Sequence, residues 1–310
     1  MRLESRIWGT DMSRFFQYLF DGLSSGAIYS LLALCLVVVY RGTGYLNFAQ
    51  GEMSMFCTFL VWKLNDWGMP LWLAAICGML IGYLGGATVE TTLIRPVAKR
   101  SQFAVFVVAI GLFLGLNSLA GAIWGAPPQE TMPSLFPNEP EDFQRIFGAS
   151  WRYQSIGILV VGLVVTGLLF ALFNKTRFGL AMRAVASNAD SARLVGVNTG
   201  RVLAASWGLA AAIGALAGTM VAGTTGEVVP GLMFSYFVYA SAAATLGGFD
   251  SLGGAVIAGL TIGVVENMAA GYAPKWIGQE MRLGVALLII LGVLLVRPTG
   301  LFGEQKVSRV

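Results

Sequence analysis

The sequence contains no histidine, and only 12% of its 310 residues are charged. Without histidine there is no histidine proton relay or metal ligand, and no Ser-His or Cys-His catalytic pair. A soluble domain carries roughly 25% charged residues. This chain is instead 56% hydrophobic, with a mean hydropathy of +0.72. These values predict an integral membrane protein.

Cysteine and catalytic motifs are also scarce. Cys35, Cys57 and Cys77 lie in apolar runs, and an odd number gives no disulfide framework. The sequence has no phosphate loop of the type G-x-x-x-x-G-K-[ST], no metal-ligand spacing and no nucleophile elbow. We therefore predict no enzyme activity, no cofactor or metal in this chain, and no ATP hydrolysis by it. The net charge of +4 calls for no nucleic-acid partner, because bases gather in loops beside the membrane lipid.

Long apolar runs predict an all-α polytopic membrane protein that forms a single domain over residues 1–310. A spanning helix needs ~20 apolar residues. The candidate spans are residues 22–40, 71–94, 103–124, 153–174, 202–222, 232–249, 255–272 and 283–296. The run at residues 53–62 is too short to span alone, so we expect about eight or nine transmembrane helices. The side of the polar N-terminus, residues 1–14, stays open.

The charges of the loops predict which side of the membrane each one faces. Bases concentrate in residues 95–100, in residues 175–201 and in the tail, residues 298–310, which predicts that all three are cytoplasmic. Residues 125–152 are acidic on balance, so we expect this loop on the external, periplasmic side.

The longest polar stretch that still looks folded is residues 175–201. It has many alanines and only one acid, Asp190, against five bases: Lys175, Arg177, Arg183, Arg193 and Arg201. Asn188 and Gly196 supply cap and turn chemistry. We predict a short cytoplasmic helix or helix pair that docks onto another protein, whose surface the small alanines allow to approach closely.

A second polar stretch, residues 42–52, lies at membrane depth and contains Asn47, Gln50 and Glu52. One interpretation is a broken or re-entrant helix beside a translocation path, with amides that bind a polar solute; the other is a tight turn between helices. We favour the first, because polar groups in lipid need partners. For Gly247 and Gly248, in residues 246–254, a kink beside a pore and a plain glycine turn both stay open.

Two acids lie in or near apolar helices. Glu90 and Glu266 either line a path or pair with Arg95 and Arg282 near the helix ends. Both acids lie toward helix ends, so we favour pairing.

Four stretches together resemble the inner-membrane permease of branched-chain amino acid ABC importers. They are residues 29–34 with 40–52, residues 90–96, residues 176–184 with 192–198, and residues 246–255 with 263–266. Gln50 stands where the family often has histidine, and Asp250 where it usually has glycine. Relatives carry branched-chain and other hydrophobic amino acids, amides, urea or aromatic acids.

The resemblance implies a multi-pass protein of the bacterial inner membrane that acts by alternating access. Its implied partners are a second homologous permease, two ATPase subunits that bind ATP and Mg²⁺, and a periplasmic solute-binding protein. The implied ATPase-coupling residues are Arg177, Gly179, Arg183, Ala184, Asn188, Ala192 and Gly196. From the polar and glycine stretches above, the candidate path residues are Asn47, Gln50, Glu52, Gly247 and Gly248.

Two other functions fit a polytopic membrane protein. A secondary transporter or channel that acts alone would depend on an ion gradient and would need a buried charged relay, of which the sequence offers little beyond Glu90 and Glu266. A purely structural scaffold would leave the polar residues Asn47 to Glu52 without a purpose.

Overall fold

A computed structural model describes residues 2–125, 132–272, 281–297 and 300–303. Within these ranges the chain is almost entirely helical, with a single β-hairpin. The helices are α1 (Arg2–Thr43), α2 (Gln50–Asp66), α3 (Leu71–Val89), α4 (Arg95–Ala98), α5 (Gln102–Trp124), α6 (Tyr153–Lys175), α7 (Arg177–Ser187), α8 (Ala189–Leu194), α9 (Thr199–Thr225), α10 (Phe234–Gly247), α11 (Leu252–Tyr272) and α12 (Met281–Val296). A π-helical turn, Glu90–Ile94, joins α3 to α4, and the antiparallel hairpin consists of β1 (Phe143–Ile146) and β2 (Ala149–Arg152).

Six of the described helical segments are long and apolar enough to cross a membrane. They are Met12–Thr43, Leu71–Ala98, Gln102–Trp124, Tyr153–Lys175, Thr199–Thr225 and Leu252–Tyr272. The other predicted spans fall on α2, α10 and α12, which have 17, 14 and 16 residues. These three are shorter than the ~20 residues that a perpendicular span requires. The helical membrane fold is as predicted; the described residues contain six helices of spanning length, and the count of eight or nine stays a prediction.

Helix α1 forms the centre of the molecule, because its long charge-free run is buried on all sides by α6, α9, α10 and α11. Glycines allow the closest of these contacts. A Cβ added to Gly263 of α11 would lie 2.4 Å from the Cα of Gly26 on α1. Helices pack in lipid through such small residues, since no hydrophobic effect drives them together there.

The two ends of α1 show on which side the N-terminus lies. Near its beginning, the Gln17 side-chain oxygen accepts a hydrogen bond of 2.9 Å from the Ser150 N–H in β2. At its other end, Gly42 is in contact with the side chain of Met182 on α7. The N-terminal end of α1 is therefore on the side of the hairpin, opposite the basic stretch of α7 and α8.

Residues 132–136 of the acidic loop cover the ends of two spans on the hairpin side. The Trp72 Nε1–H donates to the Leu135 carbonyl at 3.1 Å, and the Met132 N–H donates to the Gly226 carbonyl at 3.1 Å. These contacts attach the loop to the beginning of α3 and the end of α9. Residues 126–131 of this predicted loop lie outside the described residues, as does most of the predicted tail.

Candidate functional site

The basic stretch folds into two short helices, α7 and α8, which we call the foot (residues 176–198). Three polar side chains set its helix boundaries. The Thr176 Oγ1 accepts from the Gly179 N–H at 3.2 Å, and the Asn188 Oδ1 accepts from the Ser191 N–H at 2.9 Å. Asn198 caps the start of α9 in the same way. These side chains satisfy N–H groups that have no partner inside the helix.

Two of the predicted coupling residues attach the foot to the end of α6. A Cβ on Gly179 would lie 2.1 Å from the Phe173 carbonyl oxygen, so only glycine permits this approach. The Arg183 Nη1 donates a hydrogen bond to the same carbonyl. The last carbonyl groups of a helix attract a cation. Gly179 and Arg183 thus fix the foot to a membrane-spanning helix.

The alanines of the foot are buried or half-buried. Ala192 is buried, at 3% exposure, and Ala184 is half-buried. Helix α7 turns Met182 and Val185 toward the protein core. Ala192 therefore packs within the chain, whereas Ala186 and Ala189 line the cavity between the foot and Asp250. The role of the alanines in receiving a partner's surface stays a prediction.

Apolar side chains on the outer surface of the foot were missed in the sequence. Leu180 is 61% exposed, Leu194 is 89% exposed and Val195 is 78% exposed. The available signal was an apolar pair just before Gly196, which has a φ of +86° and ends α8. Arg177, Asn188 and Gly196 are exposed beside them. The foot therefore exposes both apolar and basic side chains, and exposed apolar side chains are typical of protein-binding surfaces.

The stretch predicted to be broken does contain a helical break. Helix α1 ends at Thr43 and α2 begins at Gln50. The Asn47 Nδ2 donates to the Gln50 Oε1 at 3.1 Å, and the Gln50 Nε2 donates to the Ala210 carbonyl of α9 at 3.1 Å. Asn47 and Gln50 are both 1% exposed. Each buried amide therefore has a partner, as burial away from water requires.

The end of the break lies part-way along α9. Ala210 follows Thr199, the first residue of α9, by eleven positions, roughly 16 Å at the rise of an α-helix. The hydrocarbon core is ~30 Å thick. Helix α2 therefore begins beside the middle part of a helix long enough to cross a membrane, with its positive N-terminal end inside the protein.

Glu52 is fully buried in the first turn of α2. Its Oε2 accepts a hydrogen bond of 3.1 Å from the Asn117 Nδ2 on α5, while its Oε1 has no hydrogen-bond partner within the described residues. We call Asn47, Gln50, Glu52 and Asn117 the polar cluster. Asn117 was not among the predicted residues.

A second non-helical segment, residues 226–233, reaches the same region. Val228 and Met233 are fully buried, and the Gly231 N–H lies 3.1 Å from the sulfur of Met55. A Cβ on Gly231 would lie 3.8 Å from the Asn117 Nδ2. Helix α10 therefore also begins inside the membrane. The signal that we missed was Pro230-Gly231 directly before an apolar run.

Gly247 and Gly248 lie in the turn between α10 and α11, away from the polar cluster. A Cβ on Gly247 would be 2.3 Å from the Gly254 carbonyl carbon, and Gly248 has a φ of +90°. The Leu301 N–H donates to the Leu246 carbonyl at 2.8 Å, which covers this turn with C-terminal residues.

A cavity of about 540 Å³ separates this turn from the foot. It is lined by the end of α1, by the foot and by Asp250. The turn is therefore close to the foot's end of the molecule rather than to mid-depth.

The predicted pairing of Glu90 with Arg95 is confirmed. Glu90 is 1% exposed, and Arg95 binds its carboxylate through two nitrogens, with Nε at 3.1 Å from Oε1. Arg95 also donates to the Gly200 carbonyl at 2.7 Å. The pair joins the π-helical turn after α3 to the first turn of α9, next to the foot.

Glu266 has a tyrosine partner. The Tyr29 hydroxyl donates to its Oε2 at 2.6 Å, and the Tyr29 ring stacks on Tyr239 at 4.7 Å between centroids. These contacts join α11 to α1 and α10. The side chain of Arg282, its expected partner, lies outside the described residues.

Among the described residues, no three cysteine, aspartate or glutamate side chains lie close enough together to form a candidate metal site. The features of this chain are instead long apolar helices, two helical breaks at membrane depth and an exposed basic foot. Together these features define a polytopic membrane protein of the permease class.

Comparison with known proteins identifies the family. Residues 18–294 match the family described as branched-chain amino acid transport system, permease component. The chain belongs to this family, as the resemblance of its motifs predicted, and is a multi-pass protein of the bacterial inner membrane.

Two curated relatives are similar over nearly their whole length. The high-affinity branched-chain amino acid transport system permease protein LivH of Escherichia coli K12 is 30% identical, over 96% of this chain and 98% of that protein. BraD of Pseudomonas aeruginosa, described in the same words, is 28% identical over 97% and 99%. An ABC transporter of the metal-chelate type, solved in an inward-facing conformation, shares the fold at 17% identity, with a TM-score of 0.50 over 91% of this chain and 88% of that one.

Proposed function

We propose that this chain is the permease subunit of an ATP-driven importer of branched-chain or other hydrophobic amino acids. The observation that carries the proposal is the foot, which leaves apolar side chains exposed on the side opposite the hairpin. A solute path needs no such surface, whereas a partner subunit does. The family membership and the full-length similarity to LivH and BraD support the substrate class.

The proposed partners on the foot side are two ATPase subunits, which would bind ATP and Mg²⁺. Leu180, Leu194 and Val195 would enter an apolar depression on the ATPase, and Arg177 would contact its acidic rim. Desolvated apolar side chains with charges around them are typical of interfaces between proteins. Movement of the foot would reach the membrane through Arg183 and Gly179, which hold it to α6.

A second homologous permease would pack against α5. Gly111 and Gly115 of this helix have no atoms within 4 Å of an added Cβ, and they line a surface groove of about 560 Å³. Two glycines four positions apart are typical of helix–helix interfaces in membranes. A periplasmic solute-binding protein would dock on the opposite side, over the hairpin and residues 132–142.

The proposed translocation path runs along the polar cluster, with Asn47, Gln50 and Glu52 as its residues. Helical breaks at membrane depth are tolerated where they are buried or line a cavity, and transporters use them as binding sites. Helices α2, α10 and α12, together with the non-helical segments, would complete nine crossings. Gly247 and Gly248 would belong to the cytoplasmic end of the path.

Arg183→Glu tests the coupling. The substitution replaces the cation that binds the Phe173 carbonyl with an anion, which that carbonyl repels. We expect membrane levels of the protein to be kept and uptake of radiolabelled leucine in cells to be lost. Normal uptake by this variant would refute the proposed role of the foot.

A further inference from the structure

The Glu52 carboxylate is only half satisfied. It is fully buried, and within the described residues only its Oε2 accepts a hydrogen bond, from Asn117. Its Oε1 has no hydrogen-bond partner among these residues, and none of the ion pairs between them involves Glu52. A buried carboxylate without a counter-ion is expensive at membrane depth. A group from outside the described chain, or a proton, must therefore complete it.

The partner of Glu52, Asn117, lies on a helix with exposed side chains. Asn117 is half-buried, and on the same helix Leu114 and Leu119 are exposed, at 58% and 46%. The non-helical segment with Gly231 lies against Asn117 on the other side. Asn117 therefore contacts Glu52 and is itself partly exposed on α5.

We propose that Glu52 and Asn117 form a binding station for the ammonium group of the transported amino acid. The inference rests on the proposed function and assigns a solute contact to two named side chains. An ammonium group has donors only, and the free Glu52 Oε1 and the Asn117 amide oxygen are acceptors. Charge-assisted hydrogen bonds of this kind are the strong ones, and a dry site strengthens them further.

The test is Glu52→Gln in the complete importer, purified with its partner permease, ATPases and binding protein and reconstituted into proteoliposomes. Glutamine keeps the size of the side chain and still accepts from Asn117, but it removes the charge. We expect leucine uptake to fall at least about tenfold, because the variant loses one charge-assisted hydrogen bond to the solute. ATP hydrolysis stimulated by the loaded binding protein should persist.

Glu266→Gln is the matched control, because it removes the charge of another buried acid that accepts from a neighbouring helix. Its uptake should stay close to that of the unmodified importer.

A charge swap keeps the proposal testable even if Glu52→Gln assembles poorly. Glu52→Gln combined with Asn117→Asp returns the carboxylate to the adjacent position and should restore part of the uptake.

Three outcomes would overturn the ammonium station. They are full uptake by Glu52→Gln, no recovery in a charge-swap variant that assembles normally, and leucine-coupled proton movement that disappears with Glu52→Gln. The last outcome would mean that the Glu52 Oε1 carries a transported proton instead of binding the ammonium group. If the unmodified importer shows no ATP-dependent uptake at all, the proposed function fails instead, so the two failures are distinguishable.

Discussion

Single side chains decide how the helices next to the foot are joined. Arg95 contacts both the buried Glu90 carboxylate and the Gly200 carbonyl, so one guanidinium links the π-helical turn to α9. The Arg95 side chain is 35% exposed and that of Glu90 only 2%. The acid therefore depends on this contact more than the base does.

We predict that Arg95→Met lowers the thermal unfolding temperature of the detergent-solubilised protein more than Glu90→Gln does. Removing the arginine leaves a charge buried without its partner, which costs about 3–5 kcal/mol for a fully buried pair and less here because Arg95 is partly exposed. Lys63→Met is the control, because it breaks an exposed ion pair with Asp66 worth about 0–1 kcal/mol. Equal effects of Arg95→Met and Lys63→Met would contradict the assignment.

Sequence distance explains which residues of the candidate site could be predicted. Arg95 is only five positions from Glu90, and the π-helical turn Glu90–Ile94 between them brings the two side chains together. Asn117 is 65 positions from Glu52, and its apolar helix gives no sign that one amide meets a carboxylate. The tertiary packing of α2 against α5 determines that contact.

The foot shows which features of a structural element could be predicted from the sequence. Its helices and caps were predictable because capping residues act locally. Which alanines are buried was not predictable, because the buried side of a short helix depends on the residues it packs against. Likewise the break at residues 44–49 was predicted from polar residues, whereas residues 226–233 look apolar apart from Glu227 and Pro230-Gly231.

We predict that Leu194→Glu weakens binding of the ATPase subunits while leaving the fold intact. Leu194 is 89% exposed, so a charge there disturbs no internal contact but opposes burial in an apolar interface. The measurement is co-purification of the ATPases with the tagged permease, alongside its thermal unfolding temperature. Arg100→Glu, which introduces the same acidic side chain outside the foot, is the control. Undiminished co-purification of Leu194→Glu would contradict the docking surface.

The whole molecule has a definite orientation that charge counting alone left open at its N-terminus. Helix α1 begins beside the hairpin and ends beside the foot. If the foot is cytoplasmic, the N-terminal end of α1 must lie on the external side of the membrane. The contact between Gln17 and Ser150 spans 133 positions, beyond the reach of any local pattern.

We predict that a membrane-impermeant maleimide labels Met12→Cys in intact cells, in a background without the native cysteines. Met12 is 53% exposed, and the next residue, Ser13, lies against Gly148 of the hairpin. Phe147→Cys, on the hairpin itself, should label equally, and Ser191→Cys, on the foot, only after the membrane is permeabilised. Labelling of Met12→Cys only after permeabilisation would reverse the orientation of α1.

The most direct test of the account is leucine uptake into proteoliposomes that contain this permease with its partner permease and the binding protein, measured with and without the ATPase subunits. We predict uptake only when both ATPases and ATP are present, because the foot is the proposed point where force enters the membrane domain. Uptake by the permease without ATPases, driven by a sodium or proton gradient, would contradict the account and favour a transporter that acts alone.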